Sequence, residues 1–270
     1  ANWILREHLA YQLFWDAGLP SLQSEIVRLH LNGGPAAGTP YRVCIENPDG
    51  QFLNRRLFFD DDDGNLYKTN LDGTPDNKAT WRYVGDDPEL YRGCYIKQTN
   101  EEEDDFSDII EFCRVLTQSR PTDPDYMDQV YSVLNPENFT RWMAVAACVA
   151  HWDSPFTDHG HNYVLYHNPS NQQFYILPWD LNGTFRYGTN PSDLTFRKEY
   201  THFRGSKFDA VNQILNHPYF GTLYYCEIDR LLDTVFTEEA MAKRIEEARL
   251  ALQTNTSTVS FLKSYVTMRR

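Results

Sequence analysis

Three polar side chains stand where apolar segments stop: Asp153 after the run Trp142 to Val149, Asn162 just before Tyr163 to His167, and Asp180 just after Phe174 to Trp179. The last two segments alternate as strands and are joined by Asn168-Pro169-Ser170-Asn171, so they predict a hairpin that returns the chain to its start. Asn162 and Asp180 are then expected at one end of that hairpin, with Asp153 delivered by the preceding helix. An Asp that orients a hydroxyl, with an Asn oxygen and a second carboxylate to hold a divalent cation, is a set of parts for phosphoryl transfer from a metal nucleotide.

The order Asp, Asn, hairpin, Asp is that of the protein-kinase catalytic and metal-binding loops. The spacing is not, because Asp153 and Asn162 lie nine positions apart where the common kinase loop has five. Other readings compete. As acid and base, Asp153 and Asp180 would suit a sugar hydrolase, which leaves Asn162 without a role. His151, Asp158, His159 and His161 suggest zinc, but they lack the helical HExxH arrangement, and a structural hydrogen bond is the simpler role for His161. Asp60 to Gly64 resembles a calcium loop whose first ligand is missing and reads as a solvated acidic turn.

The positioning elements can be read around these residues. Leu5, Leu9, Leu13 and Phe14 predict a helix over 4–17, stopped by Gly18 and Pro20. Glu25 to Leu31 and Tyr41 to Glu46, broken at Asn32-Gly33-Gly34, predict a hairpin. Residues 73–100 read as loop, Phe106 to Leu116 as a helix, and Asn138 to His151 as a strongly apolar helix. Asp180 to Ser206 reads as irregular and Ala210 to Arg270 as mostly helical, with Thr237 capping a helix. The whole is an α+β arrangement. A boundary is expected near 105, between a strand-rich N-terminal part (1–105) and a helical C-terminal part (106–270) that carries the loops 151–163 and 178–183.

Composition narrows the classes. The 270 residues are 41% apolar and 14% aromatic, with a mean hydropathy of −0.58, which implies a packed core under a solvated surface. A net charge of −13 excludes a broad phosphate-neutralising surface, so nucleic acid is not an expected partner, and a basic macromolecular substrate fits better. The longest apolar window, Trp142 to Val149, is far short of the roughly 20 residues of a membrane helix. The five cysteines show neither CxxC nor zinc spacing, and Cys148 reads as an apolar filler. The sequons at Asn138, Asn182 and Asn255 read as chance matches.

His161-Asn162-Tyr163-Val164-Leu165-Tyr166 and Pro178-Trp179-Asp180-Leu181-Asn182 resemble the H-N-Y-x-L-Y and P-W-D-[LY]-[DN] motifs of the spore coat protein H (CotH) family of atypical secreted kinases. Leu5 to Ala10, Leu31-Asn32-Gly33, Ile45-Glu46 and Asn65 to Lys68 also look like that family. The resemblance implies a two-lobed, kinase-like fold with a smaller strand-rich N-terminal lobe. It implies transfer of the γ-phosphoryl of ATP, with Mg or Mn, to Ser or Thr of a protein substrate or of the chain itself, at a secreted or cell-surface location.

By the same resemblance, Asp153 orients or deprotonates the acceptor hydroxyl, Asn162 and Asp180 hold the metal, Lys68 meets the phosphates, and Glu46 pairs with Lys68. Arg6 is a weaker candidate. Two departures bear on this. Relatives carry an R-G-N-S segment and a K-x-S-[FY] strand before the first helix, so the nucleotide lobe is expected to be incomplete here. Asn182 also stands where many relatives have an acid, which lowers the expected metal affinity. A catalytically inactive, kinase-like scaffold of a larger extracellular protein is the alternative.

Overall fold

The structure, a computed structural model, describes residues 2–36, 38, 40–56, 63–70, 79–151, 154, 160–185 and 208–270. Helix α1 (Asn2–Asp16) runs through the interior, with Ile4, Leu5, Leu9, Ala10, Leu13 and Phe14 all buried. Strands β1 (Ser24–Arg28), β2 (His30–Leu31), β3 (Gly34–Pro35) and β4 (Tyr41–Ile45) follow. β1 pairs antiparallel with β4, and β2 with β3. The expected hairpin is therefore present, and its tip is the two-residue turn Asn32-Gly33, whose φ angles of 51° and 81° are those of a type I′ turn.

After α2 (Gly50–Arg56) comes β5 (Asn65–Thr69), entered through Gly64. A Cβ on Gly64 would stand 2.1 Å from the His167 carbonyl oxygen, so only glycine allows the strands to approach there. Helix α3 (Glu89–Arg92) and strand β6 (Tyr95–Lys97) interrupt the stretch expected to be loop. The three-residue strand buries Tyr95 and Lys97 around an exposed Ile96, a pattern too short to stand out as a period. Next come α4 (Ser107–Gln118), α5 (Tyr126–Val133), which had no sequence expectation, and α6 (Pro136–Cys148). Asn135 caps α6 by accepting the Asn138 N–H, ahead of proline at the first turn.

Strands β7 (Tyr163–Asn168) and β8 (Gln173–Pro178) form the expected hairpin and complete a sheet of order β6-β5-β7-β8. The sheet takes two strands from each side of the boundary expected near 105, because β5 pairs with β7. Half-buried Asp108 of α4 accepts hydrogen bonds from Asn65 and Tyr67 of β5 and pairs with His167 of β7, tying that helix to the sheet. A 3-10 turn (Leu181–Gly183) and four helices complete the described chain: α7 (Asp209–Asn216), α8 (Pro218–Asp233), α9 (Glu238–Ala251) and α10 (Ser257–Arg269). Thr237 caps α9 as expected, accepting the Ala240 N–H. Mixed helix and sheet bear out the α+β class.

The last helix reaches back to the end of α6. Fully buried Arg269 donates from Nε (3.0 Å) and Nη2 (2.6 Å) to the Ala147 carbonyl, and the Tyr265 hydroxyl donates to the Cys148 carbonyl at 3.0 Å. These carbonyls belong to the final turn of a helix, where that of Ala147 also accepts the Ala150 N–H, and a cation there meets the negative end of the helix dipole. Arg269→Ala should leave a cavity and remove two charge-assisted hydrogen bonds from the Ala147 carbonyl, costing about 2–4 kcal/mol in urea unfolding. A loss below about 1 kcal/mol would show that the guanidinium is not what closes α6.

All five cysteines are free. Cys148 is fully buried, and burial pushes its thiol up to about 12, in keeping with an inert filler. Asn138 is buried too, its side-chain oxygen accepting the Ile176 N–H, which removes that sequon from consideration. Among the described residues no helix is long and apolar enough to cross a membrane.

Candidate functional site

The hairpin register sets the geometry. Its last pair is Tyr163 with Pro178, so Asn162 lies one residue and Asp180 two residues beyond the same open end. Both adopt left-handed backbone, at φ 65° and 47°, which costs a non-glycine residue about 1–2 kcal/mol and is easiest for Asn and Asp. Asn162 is 4% exposed and Asp180 partly buried.

Clamps on both sides hold the Asp180 turn. The Asp180 N–H donates to the hydroxyl of buried Tyr11 on α1 at 3.0 Å. The Phe185 N–H donates to the Val149 carbonyl at 2.7 Å, and Thr184 Oγ1 bonds the Leu181 carbonyl at 2.8 Å. On the Asn162 side, Thr69 Oγ1 of β5 donates to the Tyr163 carbonyl at 2.7 Å. The Tyr163 hydroxyl donates to the Ala79 carbonyl and accepts from Trp81 Nε1, so the start of β7 is anchored at both ends of one residue.

Helix α6 ends in a Schellman-type turn. The His151 N–H bonds the Ala146 carbonyl, the Ala150 N–H bonds the Ala147 carbonyl, and Ala150 has φ 46°. The His151 ring is fully buried beside Trp142, with ring centroids 6.1 Å apart, and no hydrogen-bond partner of good geometry for either nitrogen lies among the described residues. Burial pushes its pKa down to about 3, against a weak opposing pull from the Asn162 backbone. A ring neutral when folded and protonated when unfolded loses stability as pH falls from about 6.5 toward 3. Acid unfolding of the wild type between pH 6.5 and 4 should therefore be steeper than that of His151→Gln. Parallel profiles would count against it.

Lys68, one residue from the end of β5, pairs in register with Val164, and its ammonium lies 4.1 Å from the centroid of the Trp179 ring, next to Asp180 in the chain. The structure thus brings Lys68, Asn162 and Asp180 to one end of one sheet. Glu46 lies at the end of the other ribbon, exchanging hydrogen bonds with the Gln23 backbone: its Oε2 accepts the Gln23 N–H at 3.1 Å, and its own N–H bonds the Gln23 carbonyl. Among the described residues no ion pair joins it to Lys68. Asp153 lies outside the described residues, as do Asp158, His159 and most of the acidic stretch 60–64. Among the described residues no cluster of three or more His, Cys, Asp or Glu could hold a metal.

Two residues of this site had no role in the sequence reading: Tyr11, and Glu7 one turn before it on α1. Glu7 is only 6% exposed, and burial, followed by the Asp180 carboxylate, pushes its pKa up to about 7. The available signal was an acid inside the apolar run Ile4 to Phe14, four residues from a tyrosine on the same helix face. Asn182, where an acid was the alternative, is exposed on the 3-10 turn.

The chain is 24% identical over 252 residues to a protein named inner spore coat protein H from Bacillus subtilis (strain 168), a match that takes in 90% of this chain. It spans 62% of that relative's length. The family described as CotH kinase protein matches residues 2–264, nearly the whole sequence, and the chain belongs to the CotH family.

Proposed function

We propose that this protein is an atypical, metal-dependent kinase that transfers the γ-phosphoryl of ATP to a Ser or Thr hydroxyl of a protein, its own chain included. The observation that carries this reading is the convergence of Asn162 and Asp180 beyond the Tyr163–Pro178 pair, with Lys68 alongside. The Asn162 carboxamide oxygen and the Asp180 carboxylate are hard oxygen donors, which fit magnesium or manganese and not a soft thiophilic ion. A cation held there would neutralise charge on the phosphate oxygens. Lys68 would bring its ammonium to the phosphates from the β5 side. Asp153, two residues past the buried His151, would orient the acceptor hydroxyl and take its proton. A two-lobed, kinase-like organisation belongs to the same reading.

The net charge of −13 favours a Lys- or Arg-rich acceptor. The name of the spore coat relative supports a secreted or surface location. An inactive scaffold is the second reading, favoured by Asn182 in place of a second acid. Calorimetric titration with ATP separates the two at the first step. A kinase should bind ATP in manganese and lose that binding in EDTA, and a chain that ignores ATP under both conditions contradicts the proposal.

A further inference from the structure

Asn162 and Asp180 offer a divalent cation only one negative charge between them, and exposed Asn182 adds none. Substrate phosphates and water complete such a pair in a nucleotide site, and a further carboxylate raises its affinity for the ion. α1 supplies a candidate for that carboxylate. Glu7 and Tyr11 are one helical turn apart and so share a face, and the Tyr11 hydroxyl bonds the Asp180 backbone at 3.0 Å. The same face therefore carries the Glu7 carboxylate to the Asp180 turn. Glu7 is 94% removed from solvent by its 6% exposure, and among the described residues it accepts no hydrogen bond and joins no ion pair. A carboxylate so far withdrawn from solvent without a protein partner is costly to a fold, and one that feels the charge of a second carboxylate more so. A cation beside Asp180 would give the Glu7 carboxylate the partner it lacks among the described residues.

We infer that Glu7 is a ligand of the same divalent cation as Asp180 and Asn162, so that the metal site is built from α1 as well as from the hairpin. The inference rests on the proposed metal role of Asp180. Its consequence is that α1 reports metal occupancy: the cation ties the helix to the 3-10 turn at a second point beside the Tyr11 hydrogen bond. It also accounts for the tolerance of Asn at 182, since the second charge comes from the helix.

The test is calorimetric titration with manganese, in the presence of a non-hydrolysable ATP analogue, of the wild type, Glu7→Gln and Asp180→Asn, with melting temperatures taken in EDTA. Both variants should bind manganese at least about tenfold more weakly, since the charge of the ligand set governs affinity. In EDTA, Glu7→Gln should melt at or above the wild-type temperature, because the change removes a buried carboxylate facing another. Wild-type manganese affinity in Glu7→Gln with weakened binding in Asp180→Asn overturns the role of Glu7 alone. No manganese binding by the wild type overturns the metal site as a whole. A Glu7→Gln chain that melts well below wild type in EDTA also overturns the inference, because the carboxylate is then already satisfied by the fold.

Discussion

Asp180→Asn should reduce phosphoryl transfer by about 10²–10³-fold or more, the scale of removing one preorganised electrostatic stabiliser from a reacting centre. The melting temperature in EDTA should change little. The choice of Asn follows from the backbone: Asp180 sits at φ 47°, and Asn is the residue besides Gly that accepts this conformation best. Its N–H still reaches the Tyr11 hydroxyl, so the turn keeps its clamp. What changes is one charge. Asp180→Ala would add left-handed strain to the loss of charge and mix the two effects. Transfer rates under saturating ATP and manganese, beside circular dichroism of both chains, check the expectation. An Asp180→Asn chain within a few-fold of wild type would remove Asp180 from the metal site.

A substitution series at Asn162 should separate backbone from chemistry at the other half of the site. Asn162→Gly fits φ 65° without a Cβ and should hold stability close to wild type while losing about 10²-fold or more in transfer. Asn162→Ala should lose transfer equally and cost about 1–2 kcal/mol of stability besides, because Ala pays the left-handed penalty. Asn162→Asp keeps both the backbone preference and an oxygen donor, and should retain the most activity of the three. Unfolding by urea and transfer assays on the three variants give the pattern. If Gly restored activity along with stability, the strained backbone rather than the side-chain oxygen would be what the site needs, and Asn162 would not be a metal ligand. A sugar hydrolase built on Asp153 and Asp180 would likewise show no special dependence on this carboxamide.

The parts of this architecture that were legible in the sequence are those governed by local pattern. Asn168-Pro169-Ser170-Asn171 between two apolar runs specified the β7–β8 hairpin, and with it the meeting of Asn162 and Asp180. Thr237 and Asn32-Gly33 marked a cap and a turn for the same reason: each acts on backbone within a few residues of itself. Partnerships across the fold were harder. Glu46 and Lys68 both end up near strand ends, but on different sheets, and nothing in their spacing distinguishes one sheet from two. Glu7 was hidden because α1 is apolar on most of its surface, so the pattern does not say which side meets the hairpin end. Strand β6 escaped because three residues cannot establish a period. Arg269, at the far end of the sequence, closes α6 through contacts 122 residues distant that no local rule anticipates.

The central claim, that the hairpin end bearing Asn162 and Asp180 is a metal-dependent phosphotransfer site, is tested most directly by incorporation of label from γ-labelled ATP. The wild-type chain would be incubated with magnesium or manganese, with a Lys- and Arg-rich protein as acceptor, and the products read as phosphoserine and phosphothreonine on the acceptor and on the chain itself. The account predicts incorporation that EDTA abolishes and that Asp180→Asn reduces by at least about 10²-fold. Incorporation that persists in EDTA, or that Asp180→Asn leaves intact, would contradict it.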